Sequence, residues 1–94
     1  MTSPIVLRDR FVLDDRTFTV VAEPWFDAAV GAWLARFVFL ALDRSHPRPV
    51  STGPVLRHAR RDELERRIAS VKDTVLLRSA RAVLTTDARR TRAR

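Results

Sequence analysis

The sequence predicts a small α+β domain, in which a three- to four-stranded antiparallel β-meander precedes one kinked or two short C-terminal α-helices. Three observations support this fold: alternating apolar residues in the first half, short polar links between these runs, and helical periodicity after residue 60. With 94 residues, 46% of them apolar, the chain has enough material for one core. We expect a single domain over residues 1–87, followed by a flexible basic tail over residues 88–94.

The first two strands are expected at about residues 5–13 and 17–23. Apolar residues occupy every second position of the second run, which is the period of a strand with one buried face. The polar segment 14–16 separates the two runs, so they are candidates for a hairpin. Pro24 has no amide hydrogen to donate to a ladder and is expected to end the second strand.

The third strand is expected at about residues 32–42, after an apolar connection in which Gly31 takes a positive φ. Both of its faces are largely apolar, which indicates a central strand, with a helix on one face and a partner subunit or a loop on the other. A helical interpretation of this run remains open, but its content of Phe and Val favours a strand. A broken edge strand follows at about 49–57, interrupted by Gly53-Pro54.

The helical segment is expected at about residues 60–86, with apolar residues on two opposite sides when plotted at 100° per residue. Either this helix breaks near residues 70–73, or its second apolar side meets a partner. Ser70 and Asp73 have the spacing of a capping box, which favours two helices at about 60–69 and 71–86.

The excess charge lies entirely in the C-terminal part of the chain. The formal net charge is +7, and residues 57–94 carry twelve Arg or Lys against five acids. This asymmetry raises the alternative of a nucleic-acid-binding protein that uses its basic half. Acid-first i,i+4 pairs at Asp62–Arg66 and Glu63–Arg67 instead favour a solvated helix face. The candidate nucleic-acid contacts are Arg67, Arg78, Arg81, Arg89, Arg90, Arg92 and Arg94.

Apolar residues in excess of one core predict self-association or docking on a protein partner. Most aromatic side chains occupy expected core positions, whereas Trp25-Phe26 lies in a connection and could form a contact patch. The candidate partner contacts are Trp25, Phe26, Leu34, Val38, Leu40, Leu77 and Leu84. We expect a homodimer or a protein partner.

The sequence gives little indication of catalysis. His46 and His58 lack the spacing of metal ligands, and Ser51-Thr52 has no accompanying base. With two glycines and no cysteine, the chain offers neither a glycine-rich phosphate loop nor thiolate ligands. We therefore expect a non-enzymatic protein without a cofactor, a metal or a small-molecule substrate.

No membrane association is expected, and a soluble cytoplasmic protein is predicted. The most apolar run, residues 30–42, contains Arg36 and is too short to span a bilayer. The N-terminus has no charged start followed by a long apolar stretch, as a secretory signal would.

Strands followed by a basic C-terminal helical part make the chain similar in architecture to small β-sheet DNA-binding modules, such as the arm-binding domains of tyrosine recombinases. In those modules the exposed sheet face reads a groove with Arg and aromatic side chains. The third strand of this chain offers only Arg36 among apolar neighbours. The expected function is therefore a small non-enzymatic interaction module, with nucleic-acid binding as the alternative.

Overall fold

The structure, a computed structural model, describes residues 4–42 and 49–92, with side chains described through residue 84. The predicted α+β class, the meander order and the C-terminal helices are confirmed. Strands β1 to β4 form an antiparallel sheet in the order β1-β2-β3-β4, and β5 pairs with β3 on the same edge as β4. The elements are β1 (Ile5–Leu13), β2 (Arg16–Asp27), β3 (Ala32–Ala41), β4 (Val50–Ser51), β5 (Leu56–His58), α1 (Arg61–Ala69) and α2 (Asp73–Arg92).

The turn between β1 and β2 is a two-residue hairpin turn. Leu13 pairs with Arg16 at its base, and Asp14 and Asp15 both have positive φ values, of 50° and 63°. Positive φ at both central residues is the feature of a type I′ turn, whose twist matches that of the flanking strands. Asp tolerates this conformation better than most residues. The hairpin is confirmed.

The expectation that Pro24 ends the second strand is wrong, because β2 continues to Asp27. Pro24 lies opposite Ala35 in the β2–β3 register. The carbonyl of Ala35 accepts a hydrogen bond from the Val55 amide, so the polar groups of Ala35 point toward the β4–β5 edge. The nitrogen of Pro24 therefore points away from β3, so the β2–β3 ladder loses no hydrogen bond. It points toward the β1 side, but the last residue of β2 that pairs with β1 in this direction is Ala22. The connection to β3 is correspondingly short, and Gly31 has the expected positive φ of 65°.

The fourth predicted strand is broken, as expected. Four residues, 52–55, lie opposite two residues of β3, between the pairs Val38–Ser51 and Ala35–Leu56. Gly53-Pro54 lies within this excursion, which separates β4 from β5. Both short strands nevertheless belong to the same edge of the sheet.

Both helices pack on one face of the sheet and form the core there. The largest fully buried side chains of the sheet are Phe18, Phe37 and Phe39, which are at most 1% exposed. The helices contribute to this core mainly through Leu64, Ile68, Leu76, Ala80 and Leu84. Burying one such apolar side chain stabilises the fold by roughly 1.5–3 kcal/mol. The predicted core role of Phe18, Phe37 and Phe39 is confirmed, whereas Trp33, predicted with them, is half-buried against the same core.

A single helix over this segment would have apolar residues on two opposite sides. The segment instead divides at residues 70–72 into two helices, and apolar residues from both sides therefore reach the same core. The amide of Ser70 donates to the carbonyls of Arg66 and Arg67 and closes α1. The expectation that Ser70 caps the second helix is wrong, because the Lys72 carbonyl accepts the first helical bonds, from Val75 and Leu76. The backbone of α2 is helical through Arg92, past the predicted end at residue 86.

Candidate interaction surfaces

The face of the sheet opposite the helices, here called the outer face, is built from alternate residues of β2 and β3. Its cross-strand pairs follow from the register and run along the length of both strands. None of its residues belongs to the core cluster formed with the helices. The outer-face residues of these strands are Thr17, Thr19, Val21, Glu23, Trp25, Asp27, Ala32, Leu34, Arg36, Val38 and Leu40. The neighbouring strands add Val6, Val12, Ser51 and Arg57 to the same face.

An ion pair lies at the centre of the outer face. The Nε atom of Arg36 lies 2.8 Å from Oε1 of Glu23, and the two residues are directly opposite each other. Trp25–Leu34 lies on one side of this pair and Val21–Val38 on the other. Because both side chains are about 40% exposed, the pair contributes little to stability, but it leaves the face without net charge at its centre.

The structure brings together four of the predicted partner contacts and separates the other three. Trp25, Leu34, Val38 and Leu40 all lie on the outer face. Phe26 points to the helix side, because successive residues of a strand face opposite ways. In α2, Leu84 belongs to the core and Leu77 packs against it. Leu77 and Leu84 are therefore used within the chain, because the break before α2 turns them toward the sheet.

An aromatic corner lies at the end of the sheet, on the helix side. The rings of Phe26 and Trp33 meet edge to face with centroids 5.7 Å apart, and the guanidinium of Arg61 lies 5.5 Å from the Trp33 ring. Nδ1 of His58 lies 3.2 Å from Oε2 of Glu63. These contacts attach the start of α1 to β3 and β5, and they give Arg61 and His58 structural roles.

The charges of α1 are largely paired within the helix. The predicted pair Asp62–Arg66 is present at 3.5 Å, and Arg61 pairs with Glu65 at 3.1 Å. The predicted pair Glu63–Arg67 is absent, because Glu63 turns to His58 instead. Arg67 is exposed, and within the described part of the chain no ion pair involves it.

The other predicted nucleic-acid contacts belong to α2. Arg78 and Arg81 are exposed. The backbone of positions 89, 90 and 92 is helical, but their side chains are outside the described residues, as is Arg94 altogether. The expected flexibility of residues 88–94 stays a prediction.

The side chains of Arg8 and Thr52 connect distant parts of the fold, but neither belongs to a sequence motif from which this role could have been predicted. Arg8 follows a one-residue bulge in β1 and lies opposite Val20, on the helix side. It reaches Oδ1 of Asp73 at 2.9 Å and the carbonyl of Val71 at 3.1 Å, which ties β1 to the linker before α2. The hydroxyl of Thr52 is buried in the β4–β5 excursion, where it accepts a bond from the Phe37 amide and donates to the Gly53 carbonyl.

The sites considered for catalysis have other roles or lie outside the structure. Thr52 is used in the backbone contacts just described, His58 contacts Glu63, and His46 is outside the described residues. Among the residues that the structure describes, no three His, Cys, Asp or Glu side chains are grouped to hold a metal ion.

Within the described part of the chain, neither helix combines the length and the apolar content needed to cross a bilayer. In comparisons with known proteins, the chain matches no family model, no curated protein and no solved structure.

Proposed function

We propose that this protein is a non-enzymatic interaction module that self-associates by packing the outer face of its sheet against the outer face of a second copy. The observation that carries the proposal is the composition of that face, where the half-buried Trp25 and Leu40 lie beside one internally neutralised ion pair. Leu34 and Val38 lie on the same face and are each 8% exposed in a single copy. Sheets that pack face to face keep such apolar inner faces. The helices already cover the opposite face.

The size of the outer face suits a weak dimer. Ten residue pairs connect β2 and β3, and strand geometry gives the face a length of about 31 Å and a width of about 14 Å between the outermost strands. Its flat projection is then about 430 Å² on each copy, and surface relief makes the accessible area larger. Two copies would therefore bury an area at or below the lower end of the roughly 1,200–2,000 Å² of specific interfaces.

The net charge of +7 does not oppose this arrangement. Sheets packed face to face lie about 10 Å apart, and the helix layers would lie on the two far sides. The α2 helices of the two copies would be about 30 Å apart, which is several times the screening length of about 8 Å at physiological salt. The ion pairs Glu23–Arg36 of the two copies would meet without adding net charge, and Arg57, on the edge strand opposite Leu34, would lie at the rim of the interface.

Sedimentation equilibrium from about 1 μM to 1 mM protein tests the proposal. The variant Val21→Lys adds a charge beside Val38 at the middle of the outer face. We expect the unchanged protein to dimerise and the variant to dimerise at least about 100-fold more weakly, because like charges brought together at an apolar contact cost several kcal/mol. Far-UV circular dichroism verifies that the variant is folded.

The matched control is Val75→Lys, which makes the same chemical change on α2, where Val75 is 43% exposed. It should dimerise as the unchanged protein does. A protein that stays monomeric at 1 mM would refute the proposal and would leave the outer face to a different partner. Equal weakening by Val21→Lys and Val75→Lys would refute it as well, because the effect would then come from charge alone.

A further inference from the structure

The solvent face of α2 carries arginine without neighbouring acids. Arg78 and Arg81 are exposed, and in the described part of the chain neither takes part in an ion pair. Asp73, the acid at the start of the helix, is held by Arg8 at 2.9 Å. Leu76, Ala80 and Leu84, on the other side of the helix, are at most 7% exposed and belong to the core. Because that side of α2 packs against the sheet, Arg78 and Arg81 are held in a row on the side of the helix that faces solvent.

The sequence extends this row toward the end of α2. Positions 89 and 92 follow positions 78 and 81 by eleven residues, which returns them to within about 20° of the same line on a helix of 3.6 residues per turn. Both positions are Arg, and the backbone is helical through Arg92. Asp87 is the only acidic residue after Asp73 in the sequence. It follows Leu76 by eleven residues, so its position lies along the line of Leu76 and not along the row of Arg positions. The row from position 78 to position 92 is about 21 Å long.

The chemistry of this row fits the phosphates of a nucleic-acid duplex better than a membrane or a single strand. A membrane-surface helix inserts its apolar side, but in α2 that side is buried against the sheet. Proteins that bind single strands supply aromatic side chains for base stacking, and residues 73–92 contain none. Guanidinium groups match phosphate oxygens, and the distance of about 21 Å between positions 78 and 92 corresponds to about six base pairs of duplex.

We propose that the face of α2 defined by Arg78, Arg81, Arg89 and Arg92 binds the phosphate backbone of duplex nucleic acid, because guanidinium groups pair with phosphate oxygens and such contacts are sensitive to salt. The inference does not depend on self-association, because outer-face pairing would leave α2 on the outside of the dimer. A variant can therefore lose self-association and keep nucleic-acid binding, or lose nucleic-acid binding and keep self-association.

Fluorescence anisotropy with a labelled 24-base-pair DNA duplex, at several salt concentrations from about 50 to 200 mM, tests the inference. Four phosphate contacts predict that the logarithm of the binding constant falls with the logarithm of the salt concentration with a slope of about −3.6. The variant Arg78→Gln/Arg81→Gln should reduce this slope to about −1.8 and weaken binding about 100-fold or more at 50 mM salt.

The matched control is Arg60→Gln/Arg66→Gln, which removes the same charge from two exposed residues at α1, away from the outer face of the sheet. It should keep both the slope and most of the affinity. Equal losses in the two double variants would overturn the inference, since binding would then follow net charge alone. Absence of binding at 50 mM salt would overturn it too. So would tighter binding to phosphatidylcholine vesicles with 30% phosphatidylserine, which would identify a membrane surface as the target. Circular dichroism and sedimentation verify the fold and the oligomeric state of each variant.

Discussion

Replacing Thr52 by Val should destabilise the protein although the two side chains have nearly the same shape. Thr52 is 7% exposed and lies opposite Phe37, which is fully buried. Two hydrogen bonds join the two residues: the Thr52 amide donates to the Phe37 carbonyl at 2.9 Å, and the Phe37 amide donates to the Thr52 hydroxyl at 3.0 Å. The hydroxyl in turn donates to the Gly53 carbonyl at 2.7 Å. Val removes the hydroxyl from this arrangement.

The magnitude follows from what remains unpaired. The Phe37 amide loses its acceptor inside the core, and a buried donor without a partner costs about 1–3 kcal/mol. The Gly53 carbonyl belongs to an exposed residue, where water can replace the lost donor at little cost. We therefore expect Thr52→Val to lower the free energy of unfolding by about 2 kcal/mol. For a domain of this size, that corresponds to a fall in Tm of roughly 8–16 °C.

Urea unfolding followed by circular dichroism at 222 nm measures this change. Thr52→Ser keeps the hydroxyl and should cost about 0.8 kcal/mol or less, for one lost methyl group. Thr19→Val tests a hydroxyl that donates to the Asp9 carbonyl at an exposed position, and it should change stability by less than about 0.5 kcal/mol. If Thr52→Val is as stable as Thr52→Ser at an unchanged m-value, the hydroxyl does not hold the β4–β5 excursion and the reasoning fails.

Two further predictions concern stability. Arg8→Gln removes the link from β1 to Asp73 and Val71 and should lower the free energy of unfolding by about 1 kcal/mol. Arg66→Gln breaks only an exposed ion pair on α1 and should lower it by less than about 0.5 kcal/mol. Equal losses in urea unfolding would show that Arg8 contributes no more than a surface charge. Asp15→Gly should stabilise the protein by up to about 1 kcal/mol, because glycine adopts the φ of 63° without strain. A lower Tm for this variant would contradict that account of the turn.

The sequence predicted elements well where the signal is local. The alternation in residues 17–23 and the apolar run at 32–42 indicated strands, and the change of period after residue 60 indicated helices. Pro24 misled the prediction because the effect of a missing amide depends on which neighbour it faces. Only the register with Ala35 shows that no β2–β3 bond is lost there.

The candidate surfaces were predictable only in part. Alternation along β3 was enough to group Leu34, Val38 and Leu40 on one face. It could not say that Phe26 lies on the opposite side from Trp25 within the same strand, because the connection was expected to begin at Pro24. Leu77 and Leu84 looked like surplus apolar residues until the break at residues 70–72 turned α2 onto the sheet.

By itself the sequence determined the α+β class, the meander, the helical C-terminal part and the concentration of charge there, since each follows from the pattern of neighbouring residues. The tertiary structure alone decided which face of the sheet the helices cover and which side of α2 remains in solvent. It also decided that Arg8 and Thr52 hold distant segments together. These outcomes depend on strand register and on contacts between residues far apart in the chain, which local periodicity does not encode.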